Sequence, residues 1–416
     1  MARSILLRRA NAIFHHDAAP KQPLRREALG RLPALSAGYL LIEDGRIAAY
    51  GPDAEAPERA DLIIDAQDRL VLPCWCDSHT HIVYAASREG EFIDRLHGLT
   101  YEEIAERGGG ILNSARKLQE ASEDALYEQA FHRLYEVIRF GTGAIEIKSG
   151  YGLTVESELK MLRVIRRLRE TAPIPVRATF LGAHAIPKAY KSDRQGYLNL
   201  IKQEMLPRIH DQGLADYIDV FCDQGFFTPE ETADLLEAGD RYGLKAKIHV
   251  NELANSGGVQ VGVTHNALSV DHLERIGEDE IGLLSTSKTI GTLLPSCAFF
   301  LNIPYAPGRA LIDTGAAVAL ATDYNPGSTP SGKMSLVLSL ACIKMRLTPE
   351  EAVNAATLNG AFAMELDEDY GSITVGKRAH LIVTRPVPSL AFLPYAFGSD
   401  HIAKVVLGNE VIDVTG

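Results

Sequence analysis

The 416-residue chain carries a formal net charge of −12, with 46% hydrophobic and 23% charged residues. That hydrophobic content excludes a disordered chain, and the length suits a barrel with a smaller companion domain. The acidic balance argues against a nucleic-acid partner, because phosphate backbones need clustered Lys and Arg side chains.

The sequence also bears on location. Five scattered Cys residues are odd in number and too few for a disulfide framework, which indicates reduced thiols. The first apolar stretch is short and is interrupted by Arg8 and Arg9, unlike a secretory signal. We find no stretch of membrane-spanning length. We therefore expect a cytoplasmic protein without a membrane partner.

In chain order, the first clear element is a predicted β-hairpin over residues 38–52, with Asp44-Gly45 at its turn. Short apolar runs typical of strands buried on both faces follow, at residues 70–75, 143–147, 176–181, 217–221, 244–248, 267–270, 289–294 and 318–321. Helical patterns separate most of these runs, and Thr228 and Thr348 each begin a Thr-Pro-Glu-Glu capping box. Two more strand–turn patterns cover residues 371–385 and 401–412.

Eight strands alternating with helices suit a (β/α)₈ barrel, and a doubly wound open sheet is the alternative. Polar side chains come directly after many of the runs: His79, His81, Lys148, His184, His249, His272 and Asp323. Groups at the carboxyl ends of so many strands converge when the sheet closes. We predict an α/β fold with a TIM-type barrel catalytic domain over residues 70–364. Residues 1–69 and 365–416 are predicted to form one small β-sandwich domain.

A metal site is predicted where the first run ends. His79 and His81 lie two apart on an extended segment, so both imidazoles point to the same side. A lone His-x-His pair is a weak signal, since two hydrogen-bonded histidines are the ordinary alternative. His249 and Asp323 end two other strands and complete a set of N and O donors suited to Zn²⁺ or Fe²⁺.

The same region offers groups that handle protons. A metal ion lowers the pKa of a water molecule and polarises a carbonyl. Glu252 follows His249 by three residues, and His272 ends the sixth strand, so either side chain is a candidate acceptor for the water's proton. Asp323 is a candidate for both metal ligation and proton transfer. A purely structural role for Glu252 or His272 is the alternative.

This ligand pattern, with its flanking β-domain, resembles the amidohydrolase superfamily. In two-metal members a carboxylated Lys bridges the ions, so Lys148, with His184 as a second-metal ligand, stays an alternative. Two positions depart from the superfamily pattern. His380 stands where Asp is usual, and Val250-Asn251 replaces the more frequent Ala-Asp or Ala-Glu.

Longer stretches resemble the imidazolonepropionase family, at residues 79–92, 100–111, 146–163, 181–185, 249–258 and 321–328. The resemblance implies hydrolytic ring opening of 4-imidazolone-5-propanoate to N-formimidoyl-L-glutamate in histidine degradation. It implies one Zn²⁺ or Fe²⁺ per chain, held by His79, His81, His249 and Asp323, with catalysis by Glu252, His272 and Asp323. It also implies substrate contacts from Arg88, Tyr101, Tyr151, His184, Asn325, Gly327 and Ser328.

The implied roles agree with the chemistry of an anionic substrate. Arg88 offers a bidentate fork for the propionate, although a surface Arg paired with Glu89 is the alternative. We expect His184 to donate to the developing oxyanion, and Asn325 with its neighbours to contact the ring's polar edge. Another cyclic-amide hydrolase or a nucleobase deaminase is the alternative function, but an uncharged base would leave Arg88 without a role. An inactive scaffold that acts through protein contacts is a further alternative, but such a protein typically loses metal ligands, and this chain keeps all four candidates. Barrels of this kind often pair, so we expect a homodimer.

Overall fold

The computed structural model describes residues 3–99, 103 and 109–414. Its strands are β1 Ser4–Phe14, β2 Ala34–Glu43, β3 Arg46–Pro52, β4 Leu62–Asp65, β5 Leu70–Pro73, β6 Trp75–Asp77, β7 Thr142–Lys148, β8 Val176–Ala183, β9 Tyr217–Cys222, β10 Lys245–Val250, β11 Ser269–His272, β12 Ile290–Leu293, β13 Ala317–Leu320, β14 His380–Thr384, β15 Ile402–Leu407 and β16 Glu410–Asp413. Its helices are α1 Glu89–Leu96, α2 Gly110–Glu120, α3 Glu123–Arg139, α4 Val155–Thr171, α5 Arg194–Leu200, α6 Leu206–Gln212, α7 Pro229–Asp240, α8 Gly258–Thr264, α9 Glu278–Thr286, α10 Pro295–Leu301, α11 Gly308–Thr314, α12 Met334–Met345, α13 Pro349–Ala356, α14 Leu358–Phe362 and α15 Phe392–Tyr395.

The strands β6 to β13 form one parallel sheet in chain order, with helices between them. Its two edges meet through a parallel bridge between Thr80 and Tyr324. At that seam the backbone N–H of His81 donates to the Tyr324 carbonyl at 2.9 Å, and that of Asp323 donates to the His79 carbonyl at 3.0 Å. This confirms the predicted (β/α)₈ barrel, and it places two proposed ligand segments side by side.

Both chain ends form a second sheet, in the order β16-β15-β14-β5-β1-β2-β3 with β4 beside β1. The predicted hairpin is its β2–β3 pair, where Asp44 and Gly45 have φ values of 47° and 78°. Two consecutive positive φ values are typical of the type I′ turn that joins tightly paired strands. The predicted union of the two chain ends in one separate sheet is confirmed.

The run at residues 70–75, predicted as one barrel strand, is divided between the two sheets. Leu70–Pro73 pairs with β1 and β14, whereas Trp75 pairs with Thr142 in the barrel. No polar residue marks the boundary between the two strands in the sequence, because every residue of both strands is buried. The metal-ligand segment therefore follows directly from the terminal sheet.

Helix starts follow the predicted signals. Thr228 and Thr348 cap α7 and α13, each accepting a hydrogen bond from the backbone N–H of a Glu at the third helical position. Each Glu carboxylate accepts in return from the backbone N–H of its Thr, which satisfies donors that a helix start leaves open. Across the described part of the chain, no helix is both long enough and apolar enough to span a bilayer.

Candidate active site

Four buried side chains converge at the carboxyl ends of barrel strands. His79 and His81 follow β6, His249 lies in β10 and Asp323 follows β13. The His81 Nε2 atom lies 3.2 Å from His79 Nε2 and 3.4 Å from His249 Nε2. Asp323 Oδ1 lies 3.6 Å from the Nε2 atoms of both His79 and His81.

These distances fit a single metal ion. Ligand atoms held about 2.0–2.2 Å from one tetrahedral ion lie about 3.3–3.6 Å apart. In the described part of the chain, the three Nε2 atoms face one another and a carboxylate oxygen. We call these four residues the four-ligand set.

A buried carboxylate fixes the tautomer of His79, and a second buried carboxylate lies close to His249. His79 Nδ1 donates to Asp271 Oδ2 at 2.7 Å, and His249 Nδ1 lies 2.9 Å from Asp219 Oδ2. A proton on Nδ1 leaves the Nε2 lone pair free for a metal. Burial, with the positive charge of Lys148, lowers the pKa values of both His residues and keeps them in the neutral, ligating form.

Beneath the four-ligand set lies a buried ion network. Lys148 Nζ donates to Glu146 Oε1 at 2.7 Å and to Asp219 Oδ2 at 2.8 Å, and Lys247 pairs with the other oxygen of Glu146. Burial alone lowers the pKa of Lys148, but Asp219 and Glu146 outweigh it and raise that pKa. A paired ammonium is a poor precursor for a carbamate, so this environment argues against Lys148 as a bridging ligand of two metals.

A second cluster at the site consists of the ionisable side chains of His272, Glu252 and Glu274. His272 Nε2 lies 3.8 Å from Glu252 Oε2, and His272 Nδ1 lies 3.5 Å from Glu274 Oε2. Burial raises the pKa of Glu252 to about 7 and that of Asp323 to about 6. Burial would lower the pKa of His272, but Glu252 and Glu274 outweigh it and raise that pKa to about 10. Carboxyl groups with pKa values near neutrality are suited to accept and return a proton.

A cavity of about 340 Å³ opens above these groups. Its lining includes most of the predicted site residues, namely His81, Arg88, Tyr151, His184, His249, Glu252, His272, Asp323, Asn325, Gly327 and Ser328. His79 is fully buried beside the cavity floor. Tyr101 lies outside the described residues, so its predicted contact stays a prediction.

Arg88 is one of the residues that line this cavity. Its Nε donates to Ser114 Oγ at 2.8 Å, and its guanidinium lies 5.7 Å from the ring centre of Tyr151. Its Nη2 is buried without a hydrogen-bond partner among the described residues. The neighbouring Glu89 instead accepts from Ser87. A buried, unpaired cationic donor indicates a binding position for an anion.

Comparison with known proteins decides the family. Residues 70–414 match the amidohydrolase family. The chain belongs to that family. This amidohydrolase is 56% identical over 382 residues to the imidazolonepropionase of Christiangramia forsetii, covering 92% of this chain and 93% of that protein. It is 57% identical over 385 residues to the imidazolonepropionase of Flavobacterium johnsoniae, covering 92% and 94%.

The chain is therefore a hydrolase of the imidazolonepropionase family, as the resemblance of its motifs predicted. A triazine hydrolase variant matches the structure with a TM-score of 0.76 at 19% identity, covering 99% of this chain and 95% of that one. At that identity the likeness supports the fold. Amidohydrolases depend on metals, and the four-ligand set of this amidohydrolase is a possible site.

The structure changes the role expected of His184. Its Nδ1 lies 3.0 Å from the Gly150 carbonyl, which can only accept, so the ring proton sits on Nδ1. Burial lowers the pKa of His184 to about 4, which keeps the ring neutral. Nε2 is then a hydrogen-bond acceptor, suited to a substrate N–H. The expected donation to an oxyanion does not agree with this tautomer.

Asn325 also differs from expectation, because its side chain shapes the loop after β13. Its Nδ2 donates to the Asp323 carbonyl and to Ser328 Oγ, both at 2.7 Å. Its Oδ1 accepts from the backbone N–H groups of Gly327 and Ser328, at 2.7 and 2.8 Å. The side-chain amide is thus occupied within the loop. At Gly327 a Cβ would collide with the Arg88 guanidinium, so the glycine makes room for that side chain.

Sequence reasoning missed several residues of the site in this amidohydrolase. Asp219 and Asp271 were recognisable as isolated acids within apolar strand runs, since a buried charge needs a partner. Arg95 donates to the Gly327 carbonyl at 3.1 Å and lies 4.8 Å from the ring centre of Phe300. The sequence around Arg95 did not indicate a role at the site, because a helix that begins with Glu residues is typical of a solvent-exposed surface.

Proposed function

We propose that this amidohydrolase opens the ring of 4-imidazolone-5-propanoate by hydrolysis, giving N-formimidoyl-L-glutamate. The observation that carries the proposal is Arg88, which lines the same cavity as ligands of the four-ligand set and whose Nη2 has no hydrogen-bond partner among the described residues. The names of the closely similar relatives support the same substrate. A nucleobase deaminase acts on an uncharged ring, and such a substrate would leave this buried cation unpaired.

We further propose one Zn²⁺ or Fe²⁺ per chain, held by the four-ligand set. Nitrogen and carboxylate donors at these distances suit either ion, and the paired state of Lys148 supports a single-metal site. Such an ion supplies Lewis acidity, which polarises a carbonyl and makes water more acidic.

Substrate binding follows from the groups on the cavity wall. The propionate carboxylate pairs with Arg88, whose planar fork stays in place through its bond to Ser114. Tyr151 lies beside that guanidinium and flanks the ring. His184 Nε2 accepts a ring N–H, which turns the ring carbonyl toward the four-ligand set.

Proton transfer is assigned to Glu252, with Asp323 as the second acceptor. Glu252 takes a proton from the attacking water, and the oxygen adds to the ring carbonyl carbon. Glu252 then returns the proton to the ring nitrogen as the C–N bond breaks, so one water is consumed. His272 lies beside Glu252 and stabilises its carboxylate form.

The test is the loss of ultraviolet absorbance of 4-imidazolone-5-propanoate, with metal content measured on the same protein. We expect turnover with about one metal ion per chain. In Arg88→Met the KM should rise more than about tenfold, because a charge-assisted bond contributes about 1.5–3 kcal/mol. Arg116→Met, at an exposed pair with Glu120, is the matched control and should leave KM unchanged. Metal-loaded protein that leaves the imidazolone intact but deaminates neutral bases would overturn the assigned substrate.

The predicted homodimer, the cytoplasmic location and the lack of a nucleic-acid partner stay predictions. The same holds for the division into a barrel domain over residues 70–364 and a domain from both ends. Light scattering on the purified protein tests the dimer. A molar mass in solution equal to that of one chain would contradict it.

A further inference from the structure

A thiol of the barrel lies against the proposed proton-transfer residues and has no part in the proposed reaction. Cys297 on α10 is fully buried, and its Sγ lies 3.7 Å from Glu252 Oε1. The other oxygen of Glu252 lies 3.8 Å from His272 Nε2. One ligand atom from each of the three residues lies within 4.8 Å of the others. All three are outside the four-ligand set.

The spacing suits a cation that accepts sulfur, nitrogen and oxygen together. Zinc bonds of about 2.3 Å to sulfur and about 2.0–2.2 Å to nitrogen and oxygen place such ligand atoms about 3.3–3.6 Å apart. The sulfur and the imidazole nitrogen lie 3.7 and 3.8 Å from the two different oxygens of Glu252, and the three residues offer one ligand atom each within 4.8 Å of the others. These side chains must therefore rotate toward one another to close on an ion. Glu252 and His272 line the cavity, so a cation can reach them from the substrate side.

We propose that Glu252, His272 and Cys297 form a second cation site, which binds soft divalent ions. An ion bound at this site inhibits the enzyme. Thiolate ligands favour soft ions such as Cd²⁺ and excess Zn²⁺ over Mg²⁺ or Ca²⁺. The thiol and imidazolium protons leave as the ion binds, and the thiolate and carboxylate then balance its two positive charges.

Inhibition rests on the proposed function, because the ion would occupy the carboxylate that receives the water's proton. Substrate and cation would also compete for the same wall of the cavity. Binding itself does not depend on which substrate the enzyme accepts, so the two proposals are tested separately.

The experiment is a titration of the zinc-loaded protein with Cd²⁺, following the ultraviolet charge-transfer absorption of a cadmium–thiolate bond. The four-ligand set contains no sulfur, so cadmium bound there gives no such band. We expect the band to grow to one equivalent while hydrolysis is lost in parallel. In Cys297→Ser the band should disappear, basal activity should persist, and the Cd²⁺ needed for half-inhibition should rise more than about tenfold.

Cys342→Ser is the matched control, because Cys342 is a free thiol that is not part of the cluster of Glu252, His272 and Cys297, and it should keep both the band and the inhibition. A band that persists in Cys297→Ser would overturn the assignment, as would equal inhibition of that variant and the wild type. The latter result would mean that cadmium acts by replacing the ion of the four-ligand set. If Cys297→Ser does not fold, Glu252→Gln serves instead. This variant should bind cadmium more weakly, so the absorption band should form only at higher Cd²⁺ concentrations. The absorption readout needs no substrate, so failed imidazolone hydrolysis would refute the function and leave this test standing.

Discussion

The carboxylate of Asp271 should set how tightly the four-ligand set binds its metal. Asp271 Oδ2 accepts from His79 Nδ1 at 2.7 Å, and both side chains are fully buried. In Asp271→Asn the amide oxygen still accepts that proton, so the tautomer of His79 persists while the charge behind it is lost. A charge-assisted bond contributes about 1.5–3 kcal/mol and a neutral bond about 1 kcal/mol. The difference predicts a zinc affinity lower by about tenfold, within the range known for residues behind metal ligands.

The assay is competition for zinc between the protein and a chromophoric chelator of known affinity. Asp313→Asn is the matched control, because it removes a carboxylate that is 65% exposed and pairs with Arg309 at 2.9 Å. Urea unfolding of the metal-free proteins separates a general loss of stability from an effect on the ligand. A zinc affinity of Asp271→Asn equal to that of the control would refute the reasoning, because His79 would then not depend on the charge of its partner.

Two further changes test buried ionisable side chains outside the four-ligand set. Lys148→Met should lower the free energy of unfolding of the metal-free protein by about 3–5 kcal/mol, since it leaves buried carboxylates uncompensated. Lys245→Met breaks an exposed pair with Glu365 and should cost less than about 1 kcal/mol by the same urea titration. Burial lowers the pKa of His380 to about 4 from an ordinary value of 6.5, so the unfolded chain takes up a proton first as pH falls. Stability should therefore decrease between about pH 6.5 and pH 4, by up to about 3 kcal/mol. Thermal unfolding of His380→Asn should show a flatter decrease over that interval than the exposed-site control His97→Asn, and equal slopes would exclude His380 as the cause.

The residues that the sequence located best are those whose position on a strand decides their role. His79, His81, His249 and Asp323 each come at the carboxyl end of a recognisable apolar run, and a closed barrel brings those ends together. The convergence of these four side chains was therefore predictable from strand order and residue type. The capping boxes at the starts of α7 and α13 were equally predictable, because their hydrogen bonds are local.

Features that depend on distant contacts were not predictable. The tautomer of His184 depends on the Gly150 carbonyl, 34 residues away in the chain. The boundary between the two sheets within residues 70–75 depends on pairing with β14, which lies some 300 residues later. His380, unexpected from the superfamily pattern, is explained by its partner, because its Nδ1 donates to the Gly143 carbonyl of the barrel at 2.8 Å.

The late arrival of β14 has a consequence for synthesis of the protein. β5 pairs with β1 on one side and with β14 on the other, so its second edge stays open until residue 384 has left the ribosome. At about 5–20 residues per second, that interval is on the order of 15–60 s. An unpaired apolar strand edge is a template for aggregation, and β5 leads within a few residues to His79. We therefore expect nascent chains to depend on chaperones during this interval, and tags or deletions at the C-terminus to affect yield more strongly than changes on the outer helices.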